Sequence, residues 1–162
     1  MPKSKRSLKN QIRRRNKMLT ELCQELRNWF ERKKFFGTFT IENGQIDLPD
    51  GSLQSGQYFR IVGSVFNDGV HKYDPESESQ LVDEVFEGAI WSMGVPPAVV
   101  DLSERISEWV TTYGDSVSSP YSSESFGGYS YTKASSGQGN AASSNPTWQS
   151  TFASELNRYR KI

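Results

Sequence analysis

Apolar residues recur at spacings of three and four along the first long segment of the chain. Leu19, Leu22, Cys23, Leu26, Trp29 and Phe30 draw one stripe, while Glu21, Gln24, Glu25, Asn28 and Glu31 take the other faces. That period predicts an amphipathic helix from Asn10 to Lys34. Its first turns, with Arg13, Arg14 and Arg15, share the stripe only with Ile12, so residues 1–12 are expected to project as a basic arm.

The period then changes. In TFTIENGQIDLPDG, Asn43-Gly44 supplies the positive φ angles of a two-residue type I′ turn. With that turn Glu42 faces Gln45, Ile41 faces Ile46, Thr40 faces Asp47 and Phe39 faces Leu48, which puts the apolar pairs on one face. A second strand pair follows in GQYFRIVGSVFNDGVHKY, Tyr58 to Val62 and Val70 to Tyr73, around a turn at Asn67-Asp68-Gly69 and with Gly63 as a candidate bulge.

PESESQLVDEVFEGAIWSMGVPP reads as helical again. Leu81, Val82, Val85, Phe86, Ala89, Ile90 and Met93 make a wide apolar face, Ser77 and Gln80 suit a capping box, and Gly94 suits a helix end. Pro96 and Pro97 separate this segment from a third helix, Ala98 to Tyr113, with Val99, Leu102, Ile106, Trp109, Val110 and Tyr113 on one face before Gly114. Asn145-Pro146 then opens a short helix with Trp148, Phe152, Leu156 and Tyr159 along one side. The expected fold class is α+β, mainly helical. It comprises an amphipathic N-terminal helix, a four-strand β-hairpin insertion at 38–74 and two further helices in a body over 13–113. An extended C-terminal arm, 114–147, leads to a short helix at 148–162.

The arm is unusual in composition. Gly114 to Thr147 hold 11 Ser and 5 Gly in 34 residues, which buries too little apolar surface to offset the entropy of ordering. Yet ESFGGYSYTKA alternates aromatic and small polar residues from Tyr129, predicting a strand at 125–133. Such a strand satisfies its backbone only by adding to an edge, of its own body or of a partner. The terminal helix is too short to stand alone in water, so its aromatic face must also dock. The nine-residue spacer from Gly137 to Asn145 spans at most about 30 Å, enough to leave the parent subunit.

Charge sharpens this picture. The formal net charge is zero, but residues 1–36 hold 12 Lys/Arg against 3 Glu, and residues 42–115 hold 3 Lys/Arg against 14 Asp/Glu. A basic end suits an acidic neighbour or phosphate, and it also suits a merely solvated face. The single cysteine, Cys23, excludes an intramolecular disulfide and falls on a helical stripe, where a small buried core residue is expected. No run approaches the length of a membrane span, and no apolar signal core follows MPKSKRSLKNQIRRR. The expectation is a protein made in the cytoplasm with no membrane partner.

Chemistry is sparse. His71 is the only histidine and lies in a predicted strand, so no histidine-based triad or multi-histidine metal site exists. Asp83, Glu84 and Glu87 sit on the solvated side of the second predicted helix, and Gly127-Gly128 lacks the strand and helix of a phosphate loop. Neither an enzyme nor a cofactor or metal is expected.

The leading amphipathic helix, GQYFRIVGSVFNDGVHKY followed by LVDEVFEGAIW and a VPP break, then SPYSSESFGGYSYTKA and TWQSTFASELNRYRKI, resembles the head-tail connector (adaptor) proteins of tailed bacteriophages of Gram-positive hosts. The resemblance implies a virion neck protein without catalysis. It implies a homo-oligomeric ring, typically a dodecamer, that binds the portal protein, receives a stopper or tail-completion protein and passes DNA through its lumen. The four-strand insertion exceeds that of the compact members. Under this resemblance Phe126, Tyr129, Tyr131, Trp148, Phe152, Leu156, Tyr159 and Arg160 would dock on the portal or a neighbour. Lys3, Lys5, Arg6, Lys9, Arg13, Arg14, Arg15 and Lys17 would meet DNA or an acidic face such as Asp83 to Glu87. Two alternatives stand beside it: a small nucleic-acid-binding module with a basic helix, and a tail-terminator-type ring protein.

Overall fold

Ser4 opens the first helix, α1 (Lys5–Leu26), by accepting the Ser7 amide on its hydroxyl at 3.3 Å. The computed structural model describes residues 4–76, 81–118, 123–126, 129–132 and 146–162. At its far end α1 stops because Arg27 turns left-handed, with φ 52°, and the Arg27 and Asn28 amides bond back to Gln24 and Cys23 carbonyls at 3.1 Å. The Asn28 side chain holds the exit: its Oδ1 accepts the Phe30 amide and its Nδ2 donates to the Tyr159 carbonyl. Trp29 and Phe30 thus leave the helix that their spacing predicted, and the chain runs straight into a strand.

That strand is β1 (Glu31–Glu42), followed by β2 (Gln45–Ile46), β3 (Tyr58–Val62), β4 (Gly69–Lys72) and β5 (Glu84–Met93). They form one antiparallel sheet in the order β2-β1-β5-β3-β4, curled as half a barrel. After it come α2 (Pro97–Ser118), the strands β6 (Ser123–Phe126) and β7 (Tyr129–Thr132), and the terminal helices α3 (Trp148–Thr151) and α4 (Ala153–Tyr159). The Asn43-Gly44 turn sets the register expected of it, with Glu42 opposite Gln45 and Ile41 opposite Ile46. β3 and β4 pair as expected, Phe59 opposite His71, but residues 63–68 form the connection and Gly69, expected in the turn, already pairs with Ile61.

The expectation of a mainly helical fold with a four-strand insertion is corrected here. The chain is a mixed α/β protein, and the segment read as the second helix supplies β5, the strand that joins the two hairpins. β5 pairs with β1 from Glu84 to Met93 and with β3 from Ala89 to Ser92. Its apolar residues mimic a helical period because it serves two cores. Phe86 and Ile90 face one side, with Phe39, Ile41, Ile46, Phe59 and Ile61; Met93 faces the other, with Leu19, Leu22, Leu26, Val99, Leu102, Ile106 and Leu156. Apolar positions one apart, such as Ala89 and Ile90, therefore point to opposite sides of a sheet and not along one helical stripe.

Two glycines permit this arrangement. Where β3 ends against β5, a Cβ on Gly88 would overlap the Val62 carbonyl, and one on Gly63, at φ +92°, would meet the Glu87 carbonyl oxygen at 3.0 Å. In the β3–β4 connection beyond, buried Asn67 is tied to the segment entering β5: Nδ2 donates to the Val82 carbonyl at 2.8 Å and to Glu84 Oε1 at 2.7 Å, and Oδ1 accepts the Val82 amide at 2.7 Å. Ser64 and Asn67, with the Phe66 and Val65 amides, hold the Glu84 carboxyl below its usual range against the opposing effect of burial.

Gly88 separates the two readings of this segment. In a helix interior Gly88→Ala would stabilise the protein by about 1 kcal/mol. In β5 it should destabilise by about 2 kcal/mol, because a backbone carbonyl must move. Urea unfolding of the variant beside the parent protein reads the sign directly.

Candidate interaction surfaces

The C-terminus docks on its own body. Thr147 caps α3 in a reciprocal box with Ser150. Trp148, Phe152 and Tyr159 then pack on the helix-side core, in which Leu156 is fully buried. Polar contacts fix the seat: the Lys161 amide donates to the Leu26 carbonyl at 2.9 Å, completing the end of α1, and Asn28 reaches the Tyr159 carbonyl at 3.0 Å. Arg160 pairs with Glu25 at 2.9 Å, Lys161 with Glu31 at 3.3 Å, and Arg105 Nη1 with Glu155 at 3.0 Å. Of the residues expected to dock on a partner, Trp148, Phe152, Leu156, Tyr159 and Arg160 are thus gathered onto α1 and α2 of the same chain.

Phe126, Tyr129 and Tyr131 are not brought to that place. The strand expected at 125–133 is a hairpin instead, with Phe126 opposite Tyr129 and Ser123 opposite Thr132. β6 and β7 meet each other and, among the described residues, no other element.

The basic residues line α1. Lys5, Arg6, Lys9, Arg13, Arg14, Arg15 and Lys17 are all exposed, and Lys3 lies outside the described residues. Residues 5–12, expected as an arm, are the first turns of the helix. Arg15 approaches Glu104 at 3.6 Å and Lys17 approaches Glu21 at 4.0 Å. Lys5, Arg6, Arg13 and Arg14 have no carboxylate within 4.0 Å among the described residues. Leu8 and Ile12 lie exposed among them, and a groove runs between this end of α1 and Leu81-Val82. Asp83 and Glu87, offered as a possible acidic complement on a helix, stand on and beside β5; Asp83 accepts the Gly44 amide at 2.8 Å.

A cation–aromatic stack went unread in the sequence. The Arg60 guanidinium lies 3.5 Å from the Trp29 ring centre and 4.5 Å from that of Trp91, whose ring also takes Lys34 Nζ at 4.0 Å. Arg60 and Trp91 are direct partners across β3 and β5, and Lys34 and Trp91 across β1 and β5. Burial pulls the Arg60 pKa down against the charges of Asp68 and Glu31, and Arg60 Nε and Trp91 Nε1 are buried without a hydrogen-bond partner among the described residues. The face contacts add to the compensation of this guanidinium, at about 1 kcal/mol each. The available signal was Arg60 placed between Phe59 and Ile61, a cation on the second face of a strand whose first face is core.

Burial pushes the Cys23 thiol up to about 12, so it packs as a small apolar group. Burial also lowers the His71 pKa, against the 2.6 Å bond from Nε2 to the Asn67 carbonyl and the charge of Asp68. Among the described residues no group of three or more His, Cys, Asp or Glu could hold a metal, and no helix is long and apolar enough to cross a membrane.

If α4 is part of the core of the chain, Leu156→Ala in the full chain should cost about 3 kcal/mol in chemical denaturation, with a single shifted transition. A loss under about 0.5 kcal/mol, the range of a surface substitution, would place the helix elsewhere.

Compared with known proteins, the chain matches no family model, no curated protein and no solved structure.

Proposed function

We propose that the chain is a structural subunit of a phage neck, one copy in a ring between the portal and the stopper or tail, with DNA passing through the lumen. The observation that carries this reading is the unbalanced basic face of α1 on a chain of zero net charge. Lys5, Arg6, Arg13 and Arg14, with no carboxylate within 4.0 Å among the described residues, on a chain with 14 carboxylates over 42–115, are complementary to a second copy. The likeness of the ordered segments to head-tail connectors supports the same assignment, as does the hairpin, which meets no other element among the described residues. In this reading the β6–β7 hairpin is the part of the arm that engages neighbours or the portal, and α4 anchors the far end of the arm. The site of action is the virion.

The second reading, a nucleic-acid-binding module, is favoured by the same basic face, since clustered Lys and Arg bind phosphate without reading sequence. The two are separated by mass and by salt. Native mass measurement of the protein mixed with the portal protein of the same phage should show a closed multimer of about a dozen copies on the portal, the number the resemblance implies. A single chain that retards duplex DNA, loses it steeply with added salt and never joins the portal would support the module and overturn the ring.

A further inference from the structure

The two edges of the sheet are finished differently. At the β4 edge α1 lies alongside, and Thr20 Oγ1 accepts the Val70 amide at 2.9 Å. At the other edge β1 is twelve residues long, but only Ile41 and Glu42 pair with β2. Since Glu42 and Gln45 close a two-residue hairpin, the Glu42 amide and carbonyl point toward β2, and alternation points those of Thr40, Thr38, Phe36 and Lys34 the same way. The 2.9 Å bond from the Asp47 amide to the Thr40 carbonyl confirms that direction. Beyond it, no strand among the described residues meets Thr38, Phe36 or Lys34 on this side. Lys33, Lys34, Phe36, Gly37 and Thr38 are all exposed, Phe36 at 76%. A strand edge left open in this way is a template for another strand.

The same chain carries a strand pair that, among the described residues, meets no other element. There β6 and β7 bond only to each other, and a two-stranded hairpin is marginal alone in water. Its four-residue strands fit the open stretch from Lys34 to Thr38. The charges agree, because Arg32, Lys33 and Lys34 begin the open edge and β6 carries Glu124. The chain's own edge is badly placed for its own hairpin. β6 follows α2 closely, and α2 packs on α1, which covers β4 and not β1.

We propose that the β6–β7 hairpin of one copy adds to the open edge of β1 in the next copy, through β6, and continues its sheet. The donor hairpin and the acceptor edge are different surfaces, so the contact is head to tail. Repetition of such a contact closes a ring or grows a filament. This deepens the ring reading and rests on it, naming the surface by which neighbours meet.

A mixed cross-link tests it. One full-length preparation carries Thr38→Cys and another Ser125→Cys; Cys23 stays in both, being fully buried. Mixed and treated with a short bis-maleimide, they should give a covalent dimer containing one chain of each. Lys33→Glu on the acceptor should cut the yield about fivefold, and Glu124→Lys on the donor should restore it. A multimer on the portal with no mixed dimer overturns the edge pairing and leaves the ring reading standing. An internal cross-link in a single chain carrying both cysteines, with no mixed dimer, assigns the edge to the chain's own hairpin and equally overturns the proposal. Absence of any multimer overturns both.

Discussion

Everything in the subunit hangs on β5 lying between β1 and β3. Each of those strands belongs to a local hairpin, and neither hairpin has a stable face until β5 supplies the middle of the sheet. β5 also joins the layers, with Phe86 and Ile90 in the core inside the curled sheet and Met93 in the core under the helices. Its cost is steric, met by having glycine at 63 and 88, where two backbones pass closer than a Cβ allows. The Trp29-Arg60-Trp91-Lys34 stack then ties the turn after α1 to three adjacent strands on the helix-facing side.

With that body closed, the parts left over define what it offers to others. The terminal helices are taken inward, completing the end of α1 through Lys161 and filling the helix-side core with Leu156. Among the described residues three features stay outward: the basic first turns of α1, the edge of β1 that no strand there covers, and a hairpin that meets no other element. Cys23 is buried with its thiol pushed up to about 12, and burial lowers the pKa of the half-buried His71. In the proposed ring, a repeating contact between copies would use all three outward features.

Legibility in the sequence followed the range of the interaction. The Asn43-Gly44 hairpin was readable to the register because a two-residue turn fixes it locally. The stripes of α1 and α2 were readable because each faces one core. β5 was not, since two cores on opposite faces placed apolar residues side by side, and only Gly88 and the β-branched and aromatic content spoke against a helix. The early end of α1 depends on Arg27 and Phe30 adopting positive φ, held by Asn28 and the distant C-terminus. The same distance hid the site. The aromatic stripe from Trp148 to Tyr159 was visible as something that must dock, but its seat is formed by α1 and α2, with bonds to residues 50 to 135 positions away. The Arg60 stack joins four segments and leaves no local mark.

In the proposed assembly β1 is an open edge in the lone chain and a paired one between copies. Amide hydrogen exchange, followed residue by residue in dilute protein and in the assembled state, addresses it directly. Lys34, Phe36 and Thr38 should exchange fast when dilute and slowly when assembled, while Phe35, Gly37 and Phe39, which face β5, should be slow in both. Equal exchange at Lys34, Phe36 and Thr38 in the two states would contradict the claim.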